Sequence, residues 1–182
     1  SQLNEELVRE IEERKRAQKA LAASEERYEL AVRGANDGLW DWDLRSDRLY
    51  LSRRWKEMLG YDEDALDENA EAWFSLIHPD DVESVKMALA NHLRGLSELF
   101  EIEYRIRHHD GSYRWVLARG LAVRRTAQDE EVGDLEQLGL PYRMAGSQTD
   151  ITARKQTEEQ LVHDAFHDTL TGLPNRALFV DR

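Results

Sequence analysis

Between Glu98 and Arg125 the chain reads ELFEIEYRIRHHDGSYRWVLARGLAVRR, and this stretch restricts the fold more than any other. Two runs alternate in polarity on either side of Asp110-Gly111, a pair that favours the positive φ angles of a tight β-hairpin turn. With those two residues as the loop, Ile106 faces Trp115, Tyr104 faces Leu117, Ile102 faces Arg119 and Phe100 faces Leu121. One face of the hairpin is then apolar except for Arg119. Glu101, Glu103, Arg105, Arg107 and Arg114 occupy the other face, where opposite charges pair across strands.

The period-two pattern recurs elsewhere. In LWDWDL, Trp40, Trp42 and Leu44 alternate with Asp41 and Asp43, which reads as a strand. RSDR supplies a turn, LYLS a second strand, and YRMAGSQTDI the last strand. Between them, SRRWKEMLGY is a short helix ended by Gly60, and NAEAWFSLI is another helical segment. Pro79 suits the first turn of the next helix, and Asp80 and Asp81 suit its positive end. From Leu3 to about Arg33 the sequence holds neither Pro nor Gly, and it reads as one connecting helix. A heptad frame there places Ile11, Gln18, Glu25 and Val32 at one core position and Leu7, Arg14, Leu21 and Tyr28 at the other, a weak coiled-coil signal. Ser24 offers an N-cap at which a second helix would restart. TARKQTEEQLVHDAFHD is a polar exit helix, and Thr126 to Leu140, with five acidic residues and no basic one, is an acidic loop insertion. The order predicts an α+β fold, an antiparallel sheet with helices over one face.

With 182 residues and a net charge of −12, the chain holds one ordinary domain with helical extensions, and its charge argues against binding a nucleic-acid backbone. No run approaches the roughly 18 apolar residues of a membrane span. The absence of cysteine removes disulfides, thiolate metal sites and a cysteine nucleophile, and it fits a reducing cytoplasm.

The segments SEERYELAVRGANDGLWDWDL, WKEMLGY, IHPDD, DGSYRWVLARG and GSQTDIT, in this order from Ser24 to Thr152, resemble a PAS domain with its C-terminal PAC motif. The resemblance implies a five-stranded antiparallel sheet with short helices, flanked by N- and C-terminal signalling helices, and a ligand cavity between sheet and helices. DTLTGLPNR, with the helix before it, resembles the opening of a GGDEF domain, the diguanylate cyclase fold. That implies a chain divided into a connecting helix at 1–23, a PAS/PAC domain at 24–152, a linker helix at 153–167 and the start of a cut GGDEF domain at 168–182. The cyclase's catalytic signature is absent, so no enzymatic activity is expected of this chain.

Several residues are candidates for chemistry. Trp40, Trp55, Trp73, Phe74, Tyr104, Trp115 and Leu117 either line a small-molecule pocket or fill it as core. Arg119 on an apolar face needs a partner, supplied by a carboxylate-bearing ligand, by an internal carboxylate or by exposure at the pocket rim. His163 and His167 stand four apart, as on one helix face, without a third metal ligand, and His78 reads as a helix-start residue. Cysteinyl-flavin photochemistry is excluded, and haem is disfavoured because Lys86 and Met87 stand near the expected haem-histidine position, with His92 further on. No cofactor is expected. Asp150, Ile151 and Thr152, with Asp168, Leu170 and Thr171, are the candidates for signal transmission. The expected function is that of a cytoplasmic, homodimeric sensor controlling a diguanylate cyclase in cis. A ligand-free dimerisation module and a histidine kinase input domain are the alternatives.

Overall fold

The computed structural model describes residues 2–126 and 138–166. It divides into two compact units at Asp37/Gly38. The first is a single helix, α1 (Gln2–Ala35). It runs through Ser24 without a break, so the expected restart there does not form: the intrahelical ladder continues past the serine. Asn36, with φ 57°, ends it in the left-handed conformation that asparagine adopts at helix C-termini. Leu7, Val8, Ile11, Leu21, Tyr28 and Leu30 are exposed along it.

The second unit contains β1 (Gly38–Asp43), β2 (Arg48–Leu51), α2 (Arg53–Met58), α3 (Ala70–Leu76), α4 (Pro79–Leu93), β3 (Phe100–Arg107), β4 (Tyr113–Arg124), β5 (Pro141–Asp150) and α5 (Thr152–Phe166). The strands form one antiparallel sheet in the order β2-β1-β5-β4-β3. Its inner face meets Trp55 and Leu59 of the α2 segment, Leu76 and Ile77 of the α3 segment, and Val85 and Leu89 of α4. The α+β expectation and the five-stranded sheet are therefore observed.

The hairpin register differs from the expected one by a single residue. Tyr104 lies opposite Val116, Ile102 opposite Ala118, and Phe100 opposite Gly120. The loop is one residue longer than Asp110-Gly111 alone. His108 N–H donates to Ser112 O at 2.8 Å, Asp110 Oδ1 accepts from Ser112 N at 2.8 Å, and Gly111 closes the turn at φ 87°. Such a turn ends in a left-handed glycine and has an odd number of residues. Because strand side chains alternate, the one-residue shift transfers every β4 side chain to the other face. Val116, Ala118 and Gly120 are buried on the inner face, while exposed Arg119 lies outside in an ion pair with Glu101 at 2.5 Å. Trp115 and Leu117 move outside with Arg119, and Arg114 moves to the inner side opposite Ile106.

The HPDD segment joins α4 to the edge of β3. His78 caps the helix through Nδ1, which accepts from Asp80 N–H, and Pro79 takes the first turn, where no N–H is needed. The Asp81 carboxylate accepts three bonds from Arg105, from the backbone N–H at 2.9 Å, Nε at 2.9 Å and Nη2 at 2.7 Å. The guanidinium, through these side-chain bonds above all, holds the Asp81 carboxyl below the usual aspartate range. A depressed folded pKa stabilises the fold above the unfolded value of about 3.9 and is lost as pH falls through the folded value. Replacing Asp81 with Asn should therefore cost about 1–2 kcal/mol at neutral pH. The difference from wild type in urea titrations should close as pH drops below about 4. A gap independent of pH would assign the loss to packing instead.

Candidate functional site

Trp40 and the two glycines beside it shape the inner face. One cross-strand row runs Leu51, Trp40, Gly146, Gly120, Phe100 through all five strands. The Trp40 indole lies across both glycines. A Cβ at Gly120 would lie 2.4 Å from the ring, and one at Gly146 would lie 2.6 Å from it and 1.9 Å from the Arg119 carbonyl oxygen. Trp40 Nε1 donates to Ser147 O at 3.1 Å, and the ring meets Phe100 edge-on at 6.2 Å.

Around this row a cavity is lined by Trp40, Trp42, Leu49, Leu51, Trp55, Trp73, Leu89, Phe100, Tyr104, Ala118, Met144 and Gln148. The free space among them is about 20 Å³, room for about one water molecule. Of the sequence-derived pocket residues, Trp40, Trp55, Trp73 and Tyr104 converge here. Phe74 packs beside Trp73 against the core without lining the cavity. Trp115, Leu117 and Arg119 stand on the opposite sheet face, so the reason for expecting a carboxylate-bearing ligand at Arg119 falls away.

Sequence reading missed Gln148, the polar member of the lining. It is 1% exposed and belongs to a directed chain of hydrogen bonds. Trp73 Nε1 donates to Tyr104 Oη at 3.1 Å, and Tyr104 donates to Gln148 Oε1 at 2.8 Å. An indole N–H can only donate, so Tyr104 must pass its own hydrogen onward to the glutamine carbonyl. That leaves the Gln148 amide nitrogen as the polar end, and Nε2 has no hydrogen-bond partner among the described residues. Burial pushes the Tyr104 phenol up, out of the ordinary tyrosine range, so it stays a donor. The available signal was the inward parity of Met144, Gly146 and Gln148, which puts an amide on an otherwise apolar strand face.

His92 lies apart from this cavity, with both ring nitrogens engaged by backbone. Nε2 accepts from Ala122 N–H at 3.0 Å, and Nδ1 faces Ser97 O at 3.0 Å. Beside it, the Arg124 guanidinium caps the end of α4 at the His92 and Leu93 carbonyls. Lys86 and Met87 are exposed on α4.

β5 carries the inner-face geometry directly into α5. Two residues beyond Gln148, Asp150 Oδ1 accepts from Thr152 N–H at 2.8 Å and starts the helix. Ile151 is buried, and its N–H donates to Trp115 O at 2.9 Å, while Thr152 Oγ1 accepts from Trp115 N–H at 3.0 Å. The DIT segment is thus fastened to β4 at the outer-face Trp115. Asp168, Leu170 and Thr171 lie outside the described residues, as does His167. No helix among the described residues is long and apolar enough to cross a membrane.

A family model for the PAS fold matches residues 48–133. A solved sensory box histidine kinase/response regulator from Burkholderia thailandensis is 38% identical with a TM-score of 0.60, the match covering 74% of this chain and 92% of that one. The uncharacterized protein y4lL of Sinorhizobium fredii is 31% identical over 93% of this chain, and the probable diguanylate cyclase DgcE of Escherichia coli is 25% identical over 96%. This chain spans only 20% and 15% of those two proteins' lengths.

Proposed function

Because the chain belongs to the PAS-fold family, we propose that it is a sensory module whose inner-face packing controls the direction of its exit helix. The observation that carries this reading is the continuity of β5, which lines the cavity with Met144 and Gln148 and reaches the first residue of α5 within four positions. A change of packing at Gln148 or Trp40 moves the strand that starts the helix. A ligand of this cavity would be uncharged and would bring a hydrogen-bond acceptor to Gln148 Nε2, since among the described residues no charged side chain lines the space. A second reading, a ligand-free interaction module, is favoured by the small free volume beneath Trp40.

The output is proposed to be a GGDEF diguanylate cyclase in the cytoplasm. The supports are the resemblance of DTLTGLPNR to that domain's opening and the similarity to DgcE along nearly the whole chain. Homodimerisation through α1, where Leu7, Ile11, Leu21 and Tyr28 are exposed, would bring two such domains together. An α-helix turns about 100° per residue, so helix transmission depends on phase. In the full-length protein, one residue inserted between Glu158 and Glu159 should lock cyclic di-GMP production high or low. Seven inserted residues should nearly restore phase and preserve regulation. Activity that varied smoothly with inserted length would point to a flexible tether.

A further inference from the structure

Glu103 stands on the outer face of β3, and its one carboxylate engages two consecutive cations of α5. Arg154 Nη2 hydrogen-bonds to Oε1, and Lys155 Nζ lies 2.7 Å from Oε2. Lys155 Nζ also lies 5.1 Å from the centre of the Trp115 ring, the residue whose backbone holds Ile151 and Thr152. Beyond this first turn α5 buries no residue, and an open cleft lined by Trp115, Glu158, Val162 and His163 lies between helix and sheet. The ion pairs of Arg154 and Lys155 with Glu103 thus tie α5 to the sheet at its first turn.

We infer that Glu103 is the positioning residue that sets the direction of α5, acting as a latch between β3 and the helix. The neighbouring charges are already taken: Arg105 by Asp81, and Arg119 by Glu101. Glu158 lies 3.8 Å from both Arg154 and Lys155, one turn further along α5. Both cations thus have an alternative partner within the helix, which they keep if the helix leaves the sheet. Release from Glu103 would cost its two charge-assisted bonds and leave the intrahelical pairs with Glu158 in place. Hydrogen bonding from Lys155, foremost, holds the Glu103 carboxyl below the usual glutamate range, so the latch stays charged at neutral pH. This inference deepens the helix-transmission reading, but its test reports on α5 whether or not the helix carries a signal.

Hydrogen exchange of the whole chain with Glu103→Gln tests it, since glutamine keeps the shape and removes the charge. Amides of Lys155 to Glu159 should exchange about fivefold faster, as expected for loss of a partly exposed ion-pair group. Amides of Val116, Met144 and Gln148 should be unchanged. Raising the salt concentration should speed α5 exchange more in the wild type than in the variant, which keeps only the exposed pairs with Glu158. Unchanged α5 exchange in the variant overturns the inference. So does equal loss across the sheet, which would make Glu103 a general structural residue, or a salt response of equal size in both proteins.

Discussion

Replacing Trp40 with Ala should destabilise the domain by about 3–4 kcal/mol, at the level of large-to-small substitutions that leave an uncollapsed cavity. Collapse is opposed because the floor of the vacated space is backbone: Gly146 and Gly120 have no side chains to move into it, and Phe100 closes its far side. The slot so formed is flat and apolar, with the Ser147 carbonyl at one edge to accept an N–H. Indole added to the variant should therefore raise its thermal midpoint in a concentration-dependent way, following mass action on the folded state. Wild type, with its own indole in place, should show no such response. A loss below about 1 kcal/mol would mean that the ring does not fill the space, because that is less than one buried methylene or two contributes. A variant that is destabilised but indifferent to indole would show that the sheet closes over the gap.

The second large effect belongs to Tyr104. Tyr104→Phe keeps the ring and removes the hydroxyl that joins Trp73 to Gln148. It leaves the indole N–H and the glutamine carbonyl without their shared partner, and each unsatisfied buried group costs about 1–3 kcal/mol. The expected loss is about 2–3 kcal/mol by urea denaturation, allowing for the partial exposure of Trp73. Adding Gln148→Leu to this variant should recover part of the loss, since two groups removed together leave fewer orphans than one. Strict additivity of the two substitutions would show that no chain of hydrogen bonds connects them.

Part of this protein was legible from its residues. Period-two runs with turn residues gave the strands, and Pro79, Asp80 and Asp81 gave the start of α4. The order of short motifs pointed to a five-stranded sheet. In each case the cause is local: backbone φ preferences, capping and side-chain alternation act over a few residues, and the sequence carries them directly. The β3–β4 register was not legible, because β4 is apolar on both faces. Val116, Ala118 and Ala122 lie on one side and Trp115, Leu117, Leu121 and Val123 on the other, so alternation alone assigns neither to the core. The bulkier set looked like the core set. It is the outer set, because the inner face must be small where the Trp40 indole crosses Gly120 and Gly146, two strands away in space and far away in sequence. Arg119 moved with that register from a candidate ligand site to an exposed ion pair with Glu101. Gln148 acquired its place for the same reason, since its role depends on Tyr104 and Trp73, which only the closed sheet brings within hydrogen-bond distance. Local chemistry in the sequence determined which elements form, whereas steric exclusion between distant strands, present only in the tertiary structure, decided which faces of those elements became the core and the site.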